Sequence, residues 1–233
     1  MRPQKGASCL SNGRDTVVSP RVNTGHLQLE LYGAKTGNCL RAAVGLSEAG
    51  LTYRVRHVNL REGEQRSPAH LALNPAGKVP VLVVRTSEDA PAVVVTQSSA
   101  ILFYAAELAP GRLLPPVGSQ SRIKALEAFF HFTSDVIAGN GAAFTLRSHG
   151  HADAAHALTE RYLDAIIMSE RFLSDAGYMG GESFSVADIA GFTVTTAVKE
   201  LVPWEQCPRL SVWRERIALR PAVQRGMAAF DQP

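Results

Sequence analysis

The sequence predicts an α/β domain followed by an all-helical domain, and three observations lead to this. Strand and helix patterns alternate through residues 27–109. Residues 110–118 are dense in proline and glycine, which is typical of a linker. Beyond residue 119 only helical spacing of apolar residues remains, so we assign residues 119–230 to a helical C-terminal domain.

Composition indicates an ordinary globular protein. The chain has 233 residues, of which 45% are hydrophobic and 19% charged. Residues 1–26 hold four basic residues and one acidic residue, so they account for the whole formal charge of +3. We interpret them as a disordered N-terminal extension. The remainder is electrically neutral, which argues against a nucleic-acid partner or an anionic membrane surface.

The cysteines and the hydropathy favour a reducing, non-membrane environment. The three cysteines Cys9, Cys39 and Cys207 are odd in number and widely spaced, unlike a disulfide framework. The longest apolar runs are far shorter than the roughly 20 residues that a membrane helix needs. We expect a cytoplasmic protein.

The first three elements are a strand, a helix and a strand. Residues 27–32 alternate apolar and polar side chains, as a half-buried strand does. After a loop at 33–38, residues 39–49 are rich in alanine and leucine and end at Gly50, a common residue just past a helix. Residues 52–60 alternate again. This order predicts a parallel βαβ unit.

The next elements are a short helix, a hairpin and a helix. Ser67 followed by Pro68 is typical of a helix start and predicts a helix to about Leu73. Strands at 79–84 and 92–96 flank a turn, and residues 97–109 have helical spacing. A parallel βαβ unit followed by an antiparallel hairpin and a helix is the thioredoxin-like arrangement, which we assign to residues 27–109.

The second half predicts helices only. Apolar residues mark one helix that starts near Ser119 or Ser121 and runs to Ile137, and another at 158–173. The run Ser185–Asp188 has capping-box residues and opens a third helix toward Leu201. Prolines at 208 and 221 open two more.

Three motifs resemble the glutathione S-transferase family. Residues 74–82, NPAGKVPVL, are similar to its strand that bears a cis-proline, and residues 97–101, QSSAI, resemble its Glu/Gln-Ser-x-Ala-Ile motif. Residues 185–190, SVADIA, are similar to its C-domain capping box. The resemblance covers roughly residues 27–230. It implies a glutathione-binding, thioredoxin-like N-terminal domain and a homodimer.

The resemblance implies where glutathione would be held. A cis bond before Pro80 would turn the backbone of Val79 toward a peptide laid alongside, as in β-augmentation. Ser98 and the helix N-terminus would receive the γ-glutamyl carboxylate. Gln97, where the family more often has glutamate, would bond the γ-glutamyl amine. Gln65 matches a glutamine that contacts the glycyl end, and Lys78 lies beside the cis-proline.

Thiol activation has four candidates. Thr36-Gly37-Asn38 looks like the Thr-Pro-Asn of the nu class, with glycine replacing proline, which suggests Asn38 supported by Thr36 as the thiolate-stabilising donors. Asn38 also aligns with the cysteine of the beta class. Tyr32 and Cys39 remain alternatives, although sheet-end packing and helix burial explain them as well. The closest classes in motif are therefore nu and beta.

The expected function is a glutathione transferase. Bound glutathione would become a thiolate and attack a small electrophile held against helices within 121–150 and at the C-terminus, or reduce a small disulfide. The alternative is a non-catalytic binding or regulatory protein of the same fold. Glutathione is the co-substrate, and no metal is expected: His149 and His151 lack a third ligand at a convincing spacing.

Overall fold

The first domain is built on a four-stranded sheet. The structure, a computed structural model, describes residues 27–87 and 91–231, so the predicted extension 1–26 lies outside the described residues. The strand order is β2-β1-β3-β4, with β1 parallel to β2 and antiparallel to β3, and β3 antiparallel to β4. The strands are β1 (Gln28–Gly33), β2 (Arg54–His57), β3 (Val81–Arg85) and β4 (Val93–Val95). The predicted thioredoxin-like arrangement is confirmed.

Three helices complete this domain: α1 (Gly37–Glu48), α2 (Pro68–Leu73) and α3 (Ser98–Leu108). The prediction that α1 begins at residue 39 was wrong, because Thr36 already caps the helix and Gly37 is its first residue. The predicted strand at 52–60 is also shorter, since only residues 54–57 pair with β1. Ser67 caps α2 and Pro68 opens it, as the sequence predicts.

Helices dominate the second domain within the described residues, and the one stretch with β-bridges is the loop at 173–181. Its elements are α4 (Gln120–His131), a π-helical turn (Phe132–Ile137), α5 (Ala138–Ser148), α6 (Ala152–Met168), α7 (Val186–Ala197), α8 (Pro208–Ala218) and α9 (Pro221–Met227). The helix predicted up to Ile137 is thus α4 plus the π-helical turn, and α5 was not predicted separately. Helix α7 ends at Ala197, before the predicted Leu201. No helix in the part of the chain that the structure describes is long and apolar enough to cross a membrane.

Helix α1 joins the two domains, because it packs against α3 of the first domain and against α7 and α9 of the second. Gly226 of α9 lies so close to Val44 that a Cβ on Gly226 would sit 2.5 Å from the Val44 Cα. Arg220 donates two hydrogen bonds, of 2.7 and 2.8 Å, to the carboxylate of Glu48 at the end of α1. The C-terminal domain therefore fixes the helix whose first turn carries the candidate catalytic residues.

The capping box at Ser185 anchors the start of α7. The buried Asp188 carboxylate accepts hydrogen bonds from the backbone N–H groups of Ser185 and Met179, from the Ser185 hydroxyl, and from Nε1–H of Trp213 on α8. Burial raises the pKa of Asp188 to about 6, although these donors lower it. Asp188 is therefore ionised at mildly alkaline pH and connects three segments of the helical domain.

We predict that Asp188→Ala lowers the free energy of unfolding by about 3 kcal/mol at pH 7.5, because it leaves buried N–H donors without an acceptor. Chemical denaturation monitored by circular dichroism measures the change. Asp164→Ala, an exposed aspartate on α6, is the matched control and should change it by less than about 0.5 kcal/mol. Equal effects of the two substitutions would contradict this role for Asp188.

Candidate functional site

The first turn of α1 presents unpaired donors at one end of the sheet. Thr36 adopts an extended backbone conformation, and its Oγ1 accepts a hydrogen bond from the Cys39 N–H at 3.4 Å. The backbone N–H groups of Gly37 and Asn38 have no backbone acceptor among the described residues. Such N–H groups, together with the positive end of the helix dipole, stabilise an anion. The Asn38 side chain is exposed at this end.

The first turn of α3 has an open end as well. Gln97 occupies the N-cap position, but its side chain makes no capping hydrogen bond and is exposed to solvent. Ser98, the first helical residue, is only 8% exposed. Because no side chain caps this 11-residue helix, its first N–H groups are available to a carboxylate.

A buried arginine, which sequence reasoning missed, connects the two helix ends. Nη1 of Arg41 donates a hydrogen bond of 2.6 Å to Oδ1 of Asn38 and one of 3.0 Å to the Ser98 hydroxyl oxygen. Arg41 is 2% exposed. The structure thus brings together two predicted residues, Asn38 and Ser98, through a third that was not predicted. We call Asn38, Arg41 and Ser98 the bridging cluster.

The loop before β3 is held by hydrogen bonds to one carbonyl group. The Val79–Pro80 peptide bond is cis, as the sequence motif predicts. The Lys78 carbonyl oxygen accepts hydrogen bonds from Nδ2 of Asn74 at 2.8 Å and from Nε2 of His70 at 3.1 Å. These buried residues, also not predicted, fix the backbone on one side of Val79. Val79 itself is half-buried. Its backbone N–H and C=O groups have no backbone hydrogen-bond partner among the described residues.

Gln65 lies close to this loop, whereas the Lys78 side chain is exposed to solvent. Gly77 has a left-handed backbone (φ 58°), and a Cβ there would lie 2.9 Å from the Gln65 carbonyl oxygen. Oε1 of Gln65 is buried and has no hydrogen-bond partner among the described residues. The Gln65 side chain therefore holds an unused acceptor, in a residue whose carbonyl group lies beside the cis-proline loop. Within the described residues, the hydrogen bonds of Lys78 are those accepted by its carbonyl oxygen.

Tyr32 and Cys39, the two alternative thiol-activating residues, lie in environments that differ from that of Asn38. Tyr32 alternates with the core residues Leu29 and Leu31 along β1, so it shares the opposite face with Glu30. It makes no hydrogen bond to the bridging cluster in the described structure. Cys39 is fully buried, and burial raises the pKa of its thiol, which disfavours the reactive thiolate.

The described residues away from these two helix ends and the cis-proline loop include no predicted site residue. Within residues 27–87 and 91–231, no group of three or more His, Cys, Asp or Glu side chains could hold a metal ion. His149 ends α5 and its Nδ1 lies 2.8 Å from the Thr145 carbonyl oxygen. A cavity of about 450 Å³ lies between α8 and the loop at 173–177, away from the bridging cluster.

The arrangement can bind a short peptide and stabilise an anionic sulfur. The loop at Val79 offers backbone groups for a peptide strand, and the open end of α3 offers donors for a carboxylate. The open end of α1 offers the Asn38 amide, the Thr36 hydroxyl and backbone N–H groups for a thiolate. Preorganised donors of this kind lower the pKa of a bound thiol.

Comparison with known proteins identifies relatives that match most of the chain. The family model of the glutathione S-transferase N-terminal domain matches residues 27–107. "Glutathione S-transferase 3" of Zea mays is 30% identical over 223 residues, which cover 88% of this chain and 96% of the relative. The "Disulfide-bond oxidoreductase YfcG" of Escherichia coli is 29% identical over 205 residues, covering 84% and 92%.

A solved structure shares the fold. It is a glutathione transferase from Burkholderia graminis with two glutathione molecules bound per subunit, and it matches with a TM-score of 0.76 at 24% identity. The match covers 88% of this chain and 90% of that one. At this identity the likeness supports the fold alone.

We predict that Cys39 is unreactive in the folded protein, because burial and a raised thiol pKa keep the thiolate scarce. Alkylation by iodoacetamide at pH 7.5, followed by peptide mass spectrometry, should modify Cys39 at least about 100-fold more slowly than in urea-unfolded protein. Free glutathione in the same mixture serves as the control for reagent activity. Rapid modification of native Cys39 would restore it as a candidate nucleophile.

Proposed function

The chain belongs to the glutathione S-transferase family, and from this premise we propose that it is a glutathione transferase. It binds glutathione, stabilises the thiolate, and transfers it to a small electrophile or uses it to reduce a small disulfide. The bridging cluster is the observation that carries this proposal, because it joins the open ends of α1 and α3 through one buried guanidinium. Two helix ends with only a structural role do not require a buried guanidinium between them.

Glutathione is proposed to bind along the cis-proline loop. The backbone of Val79, beside Pro80, would pair with the peptide as an added strand. Its γ-glutamyl carboxylate would lie at Ser98 and the N–H groups of α3, and Gln97 would bond the amine. The buried, unpartnered Oε1 of Gln65 supports a contact near the glycyl end. The exposed Lys78 side chain, next to Val79 in the chain, is proposed to attract the glycyl carboxylate.

Asn38 is proposed to be the principal thiol-activating residue, with Thr36 in support. The Asn38 Oδ1 atom is engaged by Arg41, so its Nδ2 donor is free to face the sulfur. An ordinary thiol has a pKa of about 8.5, and each unit by which donors lower it requires about 1.4 kcal/mol of preferential thiolate stabilisation. One or two donors at a helix end are sufficient for such a shift.

Two reactions follow from a stabilised thiolate. In conjugation, the thiol proton passes to solvent and the thiolate sulfur forms a bond to an electrophilic carbon. That carbon either expels its leaving group as an anion or, in an activated double bond, passes the π electrons to an atom that takes up a proton from solvent. In disulfide reduction, the first thiolate attacks one sulfur of the substrate and expels the other as a thiolate. A second glutathione then attacks the glutathione sulfur of the mixed disulfide, which yields glutathione disulfide and the second substrate thiol. The similarity to the Escherichia coli disulfide-bond oxidoreductase supports including this reaction.

The second reaction needs two glutathione molecules because the chain offers no exposed dithiol of its own in the described region. The segment Thr36–Cys39 contains one cysteine, and that cysteine is buried. The Thr36–Asn38 motif is also the basis for placing the chain nearest the nu and beta classes. Free, buried thiols at Cys39 and Cys207 suit a reducing compartment, and we propose a cytoplasmic role in detoxification.

A homodimer is proposed from the family and from an exposed aromatic residue. Phe103, Phe129 and Phe130 form a row of edge-to-face contacts that runs from α3 to α4, with ring centroids 5.0 and 5.4 Å apart. Phe130 at the end of this row is 57% exposed. A second copy of the chain would cover this ring. The electrophile would bind against the helices within 121–150 and at the C-terminus.

We predict that Asn38→Ala and Ser98→Ala separate chemistry from binding. Asn38→Ala should reduce kcat about 10- to 100-fold, because it removes a donor to the sulfur. Its dissociation constant for glutathione should change less than about threefold, whereas Ser98→Ala should weaken binding about 10-fold by loss of a carboxylate contact. Ser134→Ala, an exposed hydroxyl on the π-helical turn, is the control.

Turnover with a chromogenic electrophile, disulfide reduction and calorimetric titration with glutathione provide these values. If the wild-type protein neither binds glutathione nor gives a thiolate absorbance with it, the enzyme proposal fails and a non-catalytic binding protein remains. If Asn38→Ala leaves kcat unchanged, thiol activation moves to Tyr32 or Thr36.

We predict that the protein has the molar mass of a dimer in light scattering after size exclusion at micromolar concentration. Phe130→Ser should shift the protein toward the monomer, because it removes an exposed apolar contact. Phe144→Ser is the control, because it replaces an exposed phenylalanine on a different helix, α5. It should leave the protein a dimer if the effect of Phe130→Ser is specific to that position. A wild-type monomer would refute the homodimer.

A further inference from the structure

Arg41 carries a charge that no acidic side chain in the described part of the chain neutralises. Its guanidinium is 2% exposed, and no carboxylate of the described residues forms an ion pair with it. Its Nε is buried without a hydrogen-bond partner. Burial lowers the pKa of Arg41 to about 10, which still leaves it protonated at neutral pH. A buried, unpaired charge costs several kcal/mol, so a structural role alone does not explain it.

The electrostatic surroundings of Arg41 favour an anion. The guanidinium bonds to Ser98 at the first turn of α3, where the open helix end is also positive. The Arg41 guanidinium and the positive end of the α3 dipole therefore both lie at the Ser98 hydroxyl group. A carboxylate bound at Ser98 would balance both and would recover part of the cost of burying Arg41.

The bond from Arg41 to Asn38 also decides which way the Asn38 amide points. A guanidinium only donates hydrogen bonds, so the Asn38 atom 2.6 Å from Nη1 is the oxygen and not the nitrogen. The Nδ2 donor group lies on the opposite side of the amide. Without Arg41 the exposed amide could rotate and present its oxygen to an anionic sulfur, which would repel it.

We propose that Arg41 is a positioning residue that couples the two halves of the glutathione site. It orients the Asn38 amide so that the nitrogen faces the thiolate, and through Ser98 it places a positive charge behind the γ-glutamyl carboxylate. Carboxylate recognition and thiol activation then depend on a single nitrogen, Nη1. The proposal rests on the function proposed above and deepens it.

The test compares Arg41→Met in two backgrounds. The pKa of the glutathione thiol bound to the protein is measured from the pH dependence of thiolate absorbance. Arg41→Met should raise this pKa by about one unit in the otherwise wild-type protein, which is about 10-fold less thiolate at neutral pH. In the Asn38→Ala background the same substitution should raise it by less than about 0.3 unit, because Arg41 acts through Asn38.

Stability distinguishes positioning from a structural role. Replacement of a buried, unpaired charge by an apolar side chain of similar volume is often neutral or stabilising. The melting temperature of ligand-free Arg41→Met should therefore equal or exceed that of the wild type, while its affinity for glutathione falls about 10-fold. Arg122→Met is the matched control: this half-buried arginine on α4 donates to the Pro115 carbonyl away from the cluster. It should leave the thiol pKa unchanged.

Arg41→Lys provides the conservative variant if Arg41→Met fails to fold. Its ammonium retains the charge and the donors, so it should keep the bound thiol pKa within about half a unit of the wild type. An unchanged thiol pKa in Arg41→Met, an equal shift in both backgrounds, or a complete loss in Arg41→Lys would overturn the proposal. Absence of any thiolate signal with the wild-type protein would instead refute the proposed function, so the two failures are distinguishable.

Discussion

The hydrogen bonds from Arg41 to Asn38 and Ser98 connect two helix ends that would otherwise be independent. Helix α1 begins after β1 and α3 begins after β4, and the two residues that meet at Arg41 are 60 positions apart in sequence. Each helix end is a modest anion site in isolation. Joined by a buried guanidinium, they form the single site that we propose for two anionic groups of glutathione, a carboxylate and the sulfur.

This arrangement requires a rigid α1, and the C-terminal domain provides the rigidity. Gly226 allows α9 to approach Val44 of α1 at backbone distance, and Arg220 pairs with Glu48 at the far end of the helix. The capping box at Asp188 fixes the start of α7, another helix in contact with α1. The helical domain therefore supports the geometry of the site, in addition to forming the wall against which we propose that the second substrate binds.

The sequence was sufficient to predict those features that depend on local chemistry. The cap at Ser67 and the capping box at Ser185 follow from residue types at fixed spacing, and the structure has both. The cis bond at Pro80, which the structure also has, was implied by the family resemblance of residues 74–82. The start of α1 was misplaced because Thr36 acts as a cap without a second local signal. Arg41 was missed because an arginine in a helix is usually solvated, and its burial depends on α3, which is distant in sequence. The one local signal was its position three residues after Asn38, on the same face of a helix that buries every residue from Cys39 to Glu48.

We propose that one cluster holds the carboxylate of glutathione at α3 and its sulfur at α1. A crystal structure of the protein with glutathione bound tests this most directly. We expect the γ-glutamyl carboxylate at hydrogen-bond distance from the Ser98 hydroxyl, and the sulfur within about 3.5 Å of Nδ2 of Asn38. A sulfur that instead faces Tyr32, or a carboxylate away from Ser98, would contradict it.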